Sequence, residues 1–342
     1  MDTKIYKISS PDDKSIEEVA CLLKDGKLVA IPTETVYGLA ANALDGETVK
    51  KIFKAKGRPS DNPLIVHISD FSQWKPLVKE IPEKAKRLTE KFWPGPLTII
   101  LPKSDVIPSE VSGGLSTVAV RMPSDEIARA IIKAAGVPLA APSANLSGKP
   151  SPTSSKHVID DMEGKIDAIV DAGECSVGVE STVISLAVNP PRLLRPGGIT
   201  PEMLTSVLGE IEIDDAVFNK LAENAEAASP GMKYKHYSPD AKVVIIKGDF
   251  SEYKSFVEKE AKEKDVALCF EEDKGKLPFI KCVTYGKEKD SFSQAARIFD
   301  ALREIDEIRA ETAFARFPEM TGMGLAVFNR LIRAAGFNIV EV

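Results

Sequence analysis

A chain of 342 residues exceeds the usual size of a single hydrophobic core, so two domains are expected. With 43% hydrophobic and 28% charged residues the composition is ordinarily globular, and no apolar run is long enough to span a bilayer. A net charge of −6 argues against a protein that coats nucleic acid nonspecifically.

The opening Met1-Asp2-Thr3-Lys4 has mixed charge and lacks the apolar stretch of a signal peptide, which points to a cytoplasmic protein. Short apolar runs then alternate with helical patterns, the mark of an α/β or α+β chain. A helix is expected over about Ser15–Lys24, a buried strand at Leu28–Ile31, a helix over Gly46–Lys56 and a strand at Leu64–Ile68. Further strands fall near Leu97–Leu101, Thr117–Arg121, Pro138–Ala141, Ala168–Val170 and Thr182–Leu186, with helices near Pro82–Phe92 and Glu126–Ala135. The segment Ser229–Asp240 (SPGMKYKHYSPD) is bracketed by prolines and lacks apolar periodicity, so it marks a domain boundary. Beyond it come a strand at Lys242–Lys247, a helix over Phe250–Glu263, and strands at Val266–Phe270 and Phe279–Thr284. A helix over Ser291–Glu307, a strand near Thr312–Phe317 and a helix near Gly324–Ala335 complete a small α/β domain. Cys21, Cys175, Cys269 and Cys282 stand far apart without C-x-x-C spacing, and read as buried and unreactive rather than as zinc ligands or disulfides.

Four stretches carry polar groups suited to a site. PTETVYGLA (Pro32–Ala40) follows a buried strand; its hydroxyls and carboxylate suit a small polar ligand, or only turn hydrogen bonds. In Lys50–Pro63 (KKIFKAKGRPSDNP), Lys56 lies at i+7 from Val49 and so shares the inward face of Val49, Ile52 and Phe53. Followed by Gly57 and Arg58, it fits a phosphate clamp and equally a cation at a capped helix C-terminus. His67 and Arg121 close apolar strands; a lone strand histidine is more often a satisfied core group, and a buried strand-end arginine needs an anionic partner. The acid-free loop Ala141–Thr153 offers Ser143, Asn145, Ser147, Lys149 and Ser151, an anion-binding composition without P-loop spacing. Finally GVESTVIS (Gly178–Ser185) precedes RLLRPGGIT, which sets Arg195 at a strand-to-loop transition.

In order, PTETVYGLA, KAKGRPSDNPLIVHI, FWPGPLTIIL, STVAVRMP, PLAAPSANLSGKPSPT, GVESTVIS and LLRPGGIT resemble the successive motifs of the YrdC-like L-threonylcarbamoyladenylate synthases, over about Ile16 to Pro201. The rest looks like the longer, two-domain form of that family. The resemblance implies a twisted mixed-sheet catalytic domain with a basic central groove (residues 1–210) and a linker (211–240) carrying an active-site lid (229–240). A small Rossmann-like α/β domain (241–342) follows. It implies a nucleotidyltransferase that joins L-threonine, bicarbonate or carbon dioxide, and ATP, giving threonylcarbamoyl-AMP and pyrophosphate. A separate transferase then moves the threonylcarbamoyl group onto a tRNA adenosine beside the anticodon.

Carried over motif by motif, the resemblance makes Thr35, His67, Arg121 and Ser181 the threonine contacts, with Arg121 on the carboxylate. It puts Lys56, Arg58, Asn62, Thr117, Ser143, Asn145, Ser151 and Arg195 on the ATP side; of these Lys56, Arg58 and Arg195 act on the reacting phosphates. Tyr234, His236 and Tyr237 fall in the lid. No acidic cluster marks a metal cage, so Mg2+ is expected to arrive with ATP. Ser185 stands where many relatives carry an acidic residue. The alternative is a non-catalytic RNA-binding module of the same fold, using Lys56, Arg58, Lys149 and Arg195; a weak tRNA contact is compatible with either reading.

Overall fold

The helices Ser15–Lys24, Gly46–Lys56, Glu126–Ala135 and Ser291–Glu307 form where the periodicity places them, in a computed structural model that describes residues 2–220 and 236–342. Local chemistry fixes their ends. Asp45 accepts hydrogen bonds from the Glu47 and Thr48 amides at the start of Gly46–Lys56, and Gly57, at φ 62°, stops it in the left-handed region.

The first domain is one 11-stranded mixed sheet. Its strands are β1 (Lys4–Lys7), β2 (Val29–Ile31), β3 (Gly38–Asn42), β4 (Ile65–His67), β5 (Leu97–Pro102), β6 (Thr117–Arg121), β7 (Leu139–Ala140), β8 (Ala168–Asp171), β9 (Thr182–Ser185), β10 (Arg192–Arg195) and β11 (Glu212–Ile213). They lie in the order β1-β8-β2-β3-β7-β4-β6-β5-β9-β10-β11. Since β11 pairs with β10, the first sheet extends into the segment read from sequence as linker. One face of the sheet carries the main core, with Leu39, Val66, Ile99, Val120 and Ile184 at its centre. On the opposite face Ile65, Ile100, Ala119, Val183 and Leu194 make a smaller apolar floor.

The second sheet is all parallel: β12 (Lys242–Lys247), β13 (Val266–Cys269), β14 (Lys281–Thr284), β15 (Thr312–Arg316) and β16 (Ile339–Glu341), ordered β14-β13-β15-β12-β16. It is the open parallel sheet expected of a Rossmann-like domain, with its own strand order. The Gly324–Ala334 helix explains how the domains join, because none of its residues is exposed. Its apolar side (Leu325, Phe328, Leu331, Ile332) packs in the second core, and its polar side faces the first domain. There Asn329 donates to the Val217 carbonyl at 2.8 Å and Arg333 to that of Ala216 at 2.6 Å. Val36 and Val179 of the first domain share this core. Gly178, at φ 79°, lies so close to the Ser291–Glu307 helix that a β-carbon would fall 2.5 Å from Ala296 Cα.

The cysteine expectation needs one correction. Cys269 is buried, Cys175 and Cys282 are half-buried, but Cys21 is exposed, because it falls on the outward face of a helix whose inward residues are Ile16, Val19, Ala20 and Leu23.

Candidate active site

Parallel strands β4 and β6 end in register, His67 opposite Arg121, so both side chains leave the sheet at the same edge and on the same face. This is the carboxyl end of the pair, where α/β sheets hold ligands. Antiparallel β5 sets Thr98 against Arg121, and Thr98 Oγ1 lies 2.7 Å from Ser181 Oγ at the start of β9. The turn after β2 folds over this edge, held by a 2.6 Å hydrogen bond from Thr33 Oγ1 to the Val36 carbonyl. A cleft opens between these strand ends and the 143–151 loop, and polar groups from several elements converge on it, as they do in small-molecule sites.

Among the residues picked out from sequence, Thr35, Arg58, His67, Arg121, Ser143, Asn145, Ser151, Ser181 and Arg195 line this one cleft, as do His236 and Tyr237 from the segment read as a lid. Lys56, Asn62 and Thr117 do not line it. Tyr234 lies outside the described residues. Ser185 pairs with Arg192 further along the sheet, away from the cleft. The sequence reading counted Glu34, the carboxylate of PTETVYGLA, only as a possible ligand group, and passed over Glu180; both lie at or beside the cleft wall. Their signal was a carboxylate inside each hydroxyl-rich motif, in a chain with strand-end arginines that burial would oblige to pair.

Lys56 differs most from expectation. Its ammonium is buried as the i+7 spacing requires, but it donates to the backbone carbonyls of Ser143 and Asn145. Burial, then the nearby Arg58, pushes its pKa well below the usual lysine value. It therefore ties the helix end to the 143–145 loop. Within that loop Ser143 Oγ donates to Asn145 Oδ1 at 2.6 Å, and Asn145 Nδ2 donates to the Leu146 and Lys149 carbonyls, both at 2.8 Å.

Arg121 is 3% exposed and nearly surrounded. Nη1 donates to Thr35 Oγ1 at 2.8 Å, Nε to the Gly95 carbonyl at 3.3 Å, and Nη2 sits 2.7 Å from Glu34 Oε2. That contact is a close ion pair rather than an aligned hydrogen bond among the described residues. Burial alone would raise the Glu34 carboxyl, but Arg121 and the Ser124 amide outweigh it and hold the group below its ordinary range. Arg195 donates from Nε to the Ser181 carbonyl at 3.0 Å and from Nη2 to Ser181 Oγ at 3.1 Å. Burial pulls its pKa to about 10, so it stays cationic at neutral pH. Three arginines thus face one cleft whose two nearby carboxylates are already engaged with arginine, a field suited to an anionic ligand.

His67 is 4% exposed, and its pKa is lowered to about 3, by burial first and Arg121 second. Its Nδ1 lies 3.2 Å from the Ile65 carbonyl. A neutral ring donating there leaves Nε2 as an acceptor. His157 is lowered to about 4 and His236 to about 3, burial leading in both. A base whose folded pKa is depressed leaves the unfolded chain binding more protons below about pH 6.5. Stability should therefore be whole above that pH and fall toward pH 4, by up to about 1.4 kcal/mol per pH unit for each histidine. Unfolding measured at pH 7 and pH 5 checks this: a flat profile contradicts it, and His67→Gln should make the slope shallower.

Gly197 follows Arg195 and Pro196 where two backbones meet. A β-carbon there would fall 2.6 Å from the Glu180 carbonyl oxygen and 2.7 Å from the Ser181 carbonyl carbon. Gly197→Ala should separate Arg195 from Ser181 and lower kcat/KM at least about tenfold. Steady-state kinetics on the folded variant checks this, and an unchanged value would show that the contact can relax.

Fold and cleft define a YrdC-type α/β enzyme with an appended domain, and comparison with known proteins agrees. Residues 21–197 match a family described as telomere recombination, and residues 199–336 match the threonylcarbamoyl-AMP synthase C-terminal domain. The threonylcarbamoyl-AMP synthase of Pyrococcus abyssi is 49% identical over 97% of both chains. That of Bacillus subtilis is 47% identical over 97% of this chain and 96% of its own. The crystal structure of P. abyssi Sua5 complexed with L-threonine superposes with a TM-score of 0.92 at 47% identity, covering 99% of this chain and 100% of that one. The chain belongs to the two-domain threonylcarbamoyl-AMP synthases, enzymes of the nucleotidyltransferase type.

Proposed function

We propose that the cleft holds L-threonine on the side of Thr35, His67, Arg121 and Ser181, and ATP on the side of Arg58, Ser143, Asn145, Ser151 and Arg195. The observation that carries this reading is the convergence of both residue sets, from motifs far apart in the chain, on one cleft of cationic character. Neutral His67 suits a threonine amine or hydroxyl, because its free ring nitrogen accepts a hydrogen bond without adding charge beside Arg121.

The chemistry follows from this placement. The free threonine amine bonds to the carbon of carbon dioxide, which bicarbonate supplies by losing hydroxide; the proton that leaves nitrogen joins that hydroxide as water, and a carbamate remains. One carbamate oxygen then bonds to the α-phosphorus, while the bond from that phosphorus to the bridging oxygen of pyrophosphate breaks. Neither step needs a protein nucleophile; both need alignment and charge neutralisation. Arg121 neutralises the threonine carboxylate, while Arg58 and Arg195 take up charge on the phosphates. Glu34 and Glu180 are engaged with arginines. In this reading magnesium arrives on the phosphates, as Mg·ATP. His236 and Tyr237 close the cleft beside ATP, where shielding a carbamoyl-adenylate from water matters.

The product is an activated acyl donor, consumed by a transferase that carries it to tRNA. No helix among the described residues is long and apolar enough to cross a membrane, and a cytoplasmic site, where ATP and tRNA meet, completes the reading. Pyrophosphate release tests it: release should require threonine and bicarbonate together. RNA binding without such release would favour the non-catalytic alternative.

A further inference from the structure

Polar contacts from the second domain, and from the segment leading into it, fall on or beside the loop that walls the ATP side of the cleft. Arg303 Nη2 donates to the Pro150 carbonyl at 2.6 Å and pairs with Asp161 at 2.8 Å. Thr153 Oγ1 donates to Asp300 at 2.7 Å, and the Ser238 amide donates to the Gly148 carbonyl at 2.9 Å. The deepest contact is Arg330, fully buried in a helix whose polar side faces the first domain. Its Nε donates to Glu180 Oε2 at 2.7 Å, Nη1 to the Pro196 carbonyl at 2.8 Å and Nη2 to the Glu180 carbonyl at 3.2 Å. The other carboxylate oxygen, Oε1, accepts the Ser151 hydroxyl. One guanidinium thus holds both the carboxylate that orients Ser151 and the backbone next to Arg195.

We propose that Arg330, though it lies in the second domain, is a positioning residue of the synthase site: it fixes Glu180 so that Glu180 holds Ser151 at the nucleotide wall. The inference rests on the reading of Ser151 as an ATP contact. It also gives the second domain a role in the reaction, as the element that completes the nucleotide half of a site built otherwise from the first domain. Three features support a relay over mere adhesion between domains. Among the described residues each oxygen of Glu180 has one partner, on opposite sides of the domain boundary. Burial would raise the Glu180 carboxyl, but Arg330 leads Arg195 and Ser151 in holding it below its ordinary range, so Ser151 meets an acceptor at neutral pH. Arg330 also lies 5.8 Å from the centre of the Tyr237 ring, which lines the same cleft.

The test is a double-mutant cycle on the full chain, read as KM for Mg·ATP, KM for threonine and kcat in the pyrophosphate-release assay. Arg330→Gln should raise KM for ATP about tenfold or more and leave KM for threonine within about twofold of the parent. Arg330→Lys, which keeps the charge but loses the fork, should fall between. In a Ser151→Ala background Arg330→Gln should add little further loss for ATP, since the group it positions is already gone. Equal losses for both substrates, or full additivity with Ser151→Ala, would overturn the inference and leave Arg330 as domain adhesion. If Ser151→Ala alone leaves KM for ATP unchanged, the reading of Ser151 fails instead. Should Arg330→Gln not fold, Glu180→Gln reads the same relay from its middle and must show the same split between the two substrates.

Discussion

Arg121→Ala should abolish threonine-dependent pyrophosphate release, by about a thousandfold or more, while binding of a non-hydrolysable ATP analogue stays measurable. The size of the loss has two sources. The first is the missing partner for the threonine carboxylate. The second is Glu34, which would be left 7% exposed without its counter-charge at the threonine end of the cleft. Relieved of Arg121, that carboxyl would move up toward protonation, and Thr35 would lose the donor that fixes its hydroxyl. Arg121→Lys should recover folding stability more than turnover, because an ammonium cannot reach Thr35, Glu34 and a ligand at once. Titration with threonine and with the ATP analogue separates the effects. Retained turnover in Arg121→Ala would remove the carboxylate clamp from the account.

Deleting the chain from Ser229 onward should cut turnover at least about a hundredfold. The truncation strips Glu180 of Arg330, Pro150 of Arg303 and Thr153 of Asp300. It also bares Val36, Val179 and Val217, which pack in the shared core. The loop 143–151 would keep Lys56 as its inner tie and lose its outer ones. Pyrophosphate release by the purified, folded fragment is the measurement. Full activity would show that the first domain holds its nucleotide wall unaided.

Much of this site was legible in the sequence because its residues sit at strand ends or follow helical spacing. His67 and Arg121 could be read as the last residues of two apolar strands, and their register then brings them side by side. Lys56 could be read as inward-facing, and it is; spacing along one helix says nothing about which carbonyls wait on a loop nearly ninety residues away. β3 was hidden inside PTETVYGLA, whose hydroxyls and glycine look like a turn, because its pairing with β2 and β7 is a tertiary fact. Glu34 and Glu180 stood in view but had no visible partners. The ion-pair partner of Glu180 lies 150 residues away, on a helix that the sequence marks only as the last one of the small domain. That helix proved to be buried all round, and only the packing of one domain on the other could reveal it.

The most direct test of the account is a crystal structure of the full chain with L-threonine and a non-hydrolysable ATP analogue. The threonine carboxylate should lie on Arg121 with its amine toward His67, and the α-phosphate between that amine and Arg195. Ser151 should lie against the nucleotide with Glu180 and Arg330 behind it. A nucleotide bound outside this cleft, or threonine and nucleotide on exchanged sides, would contradict it.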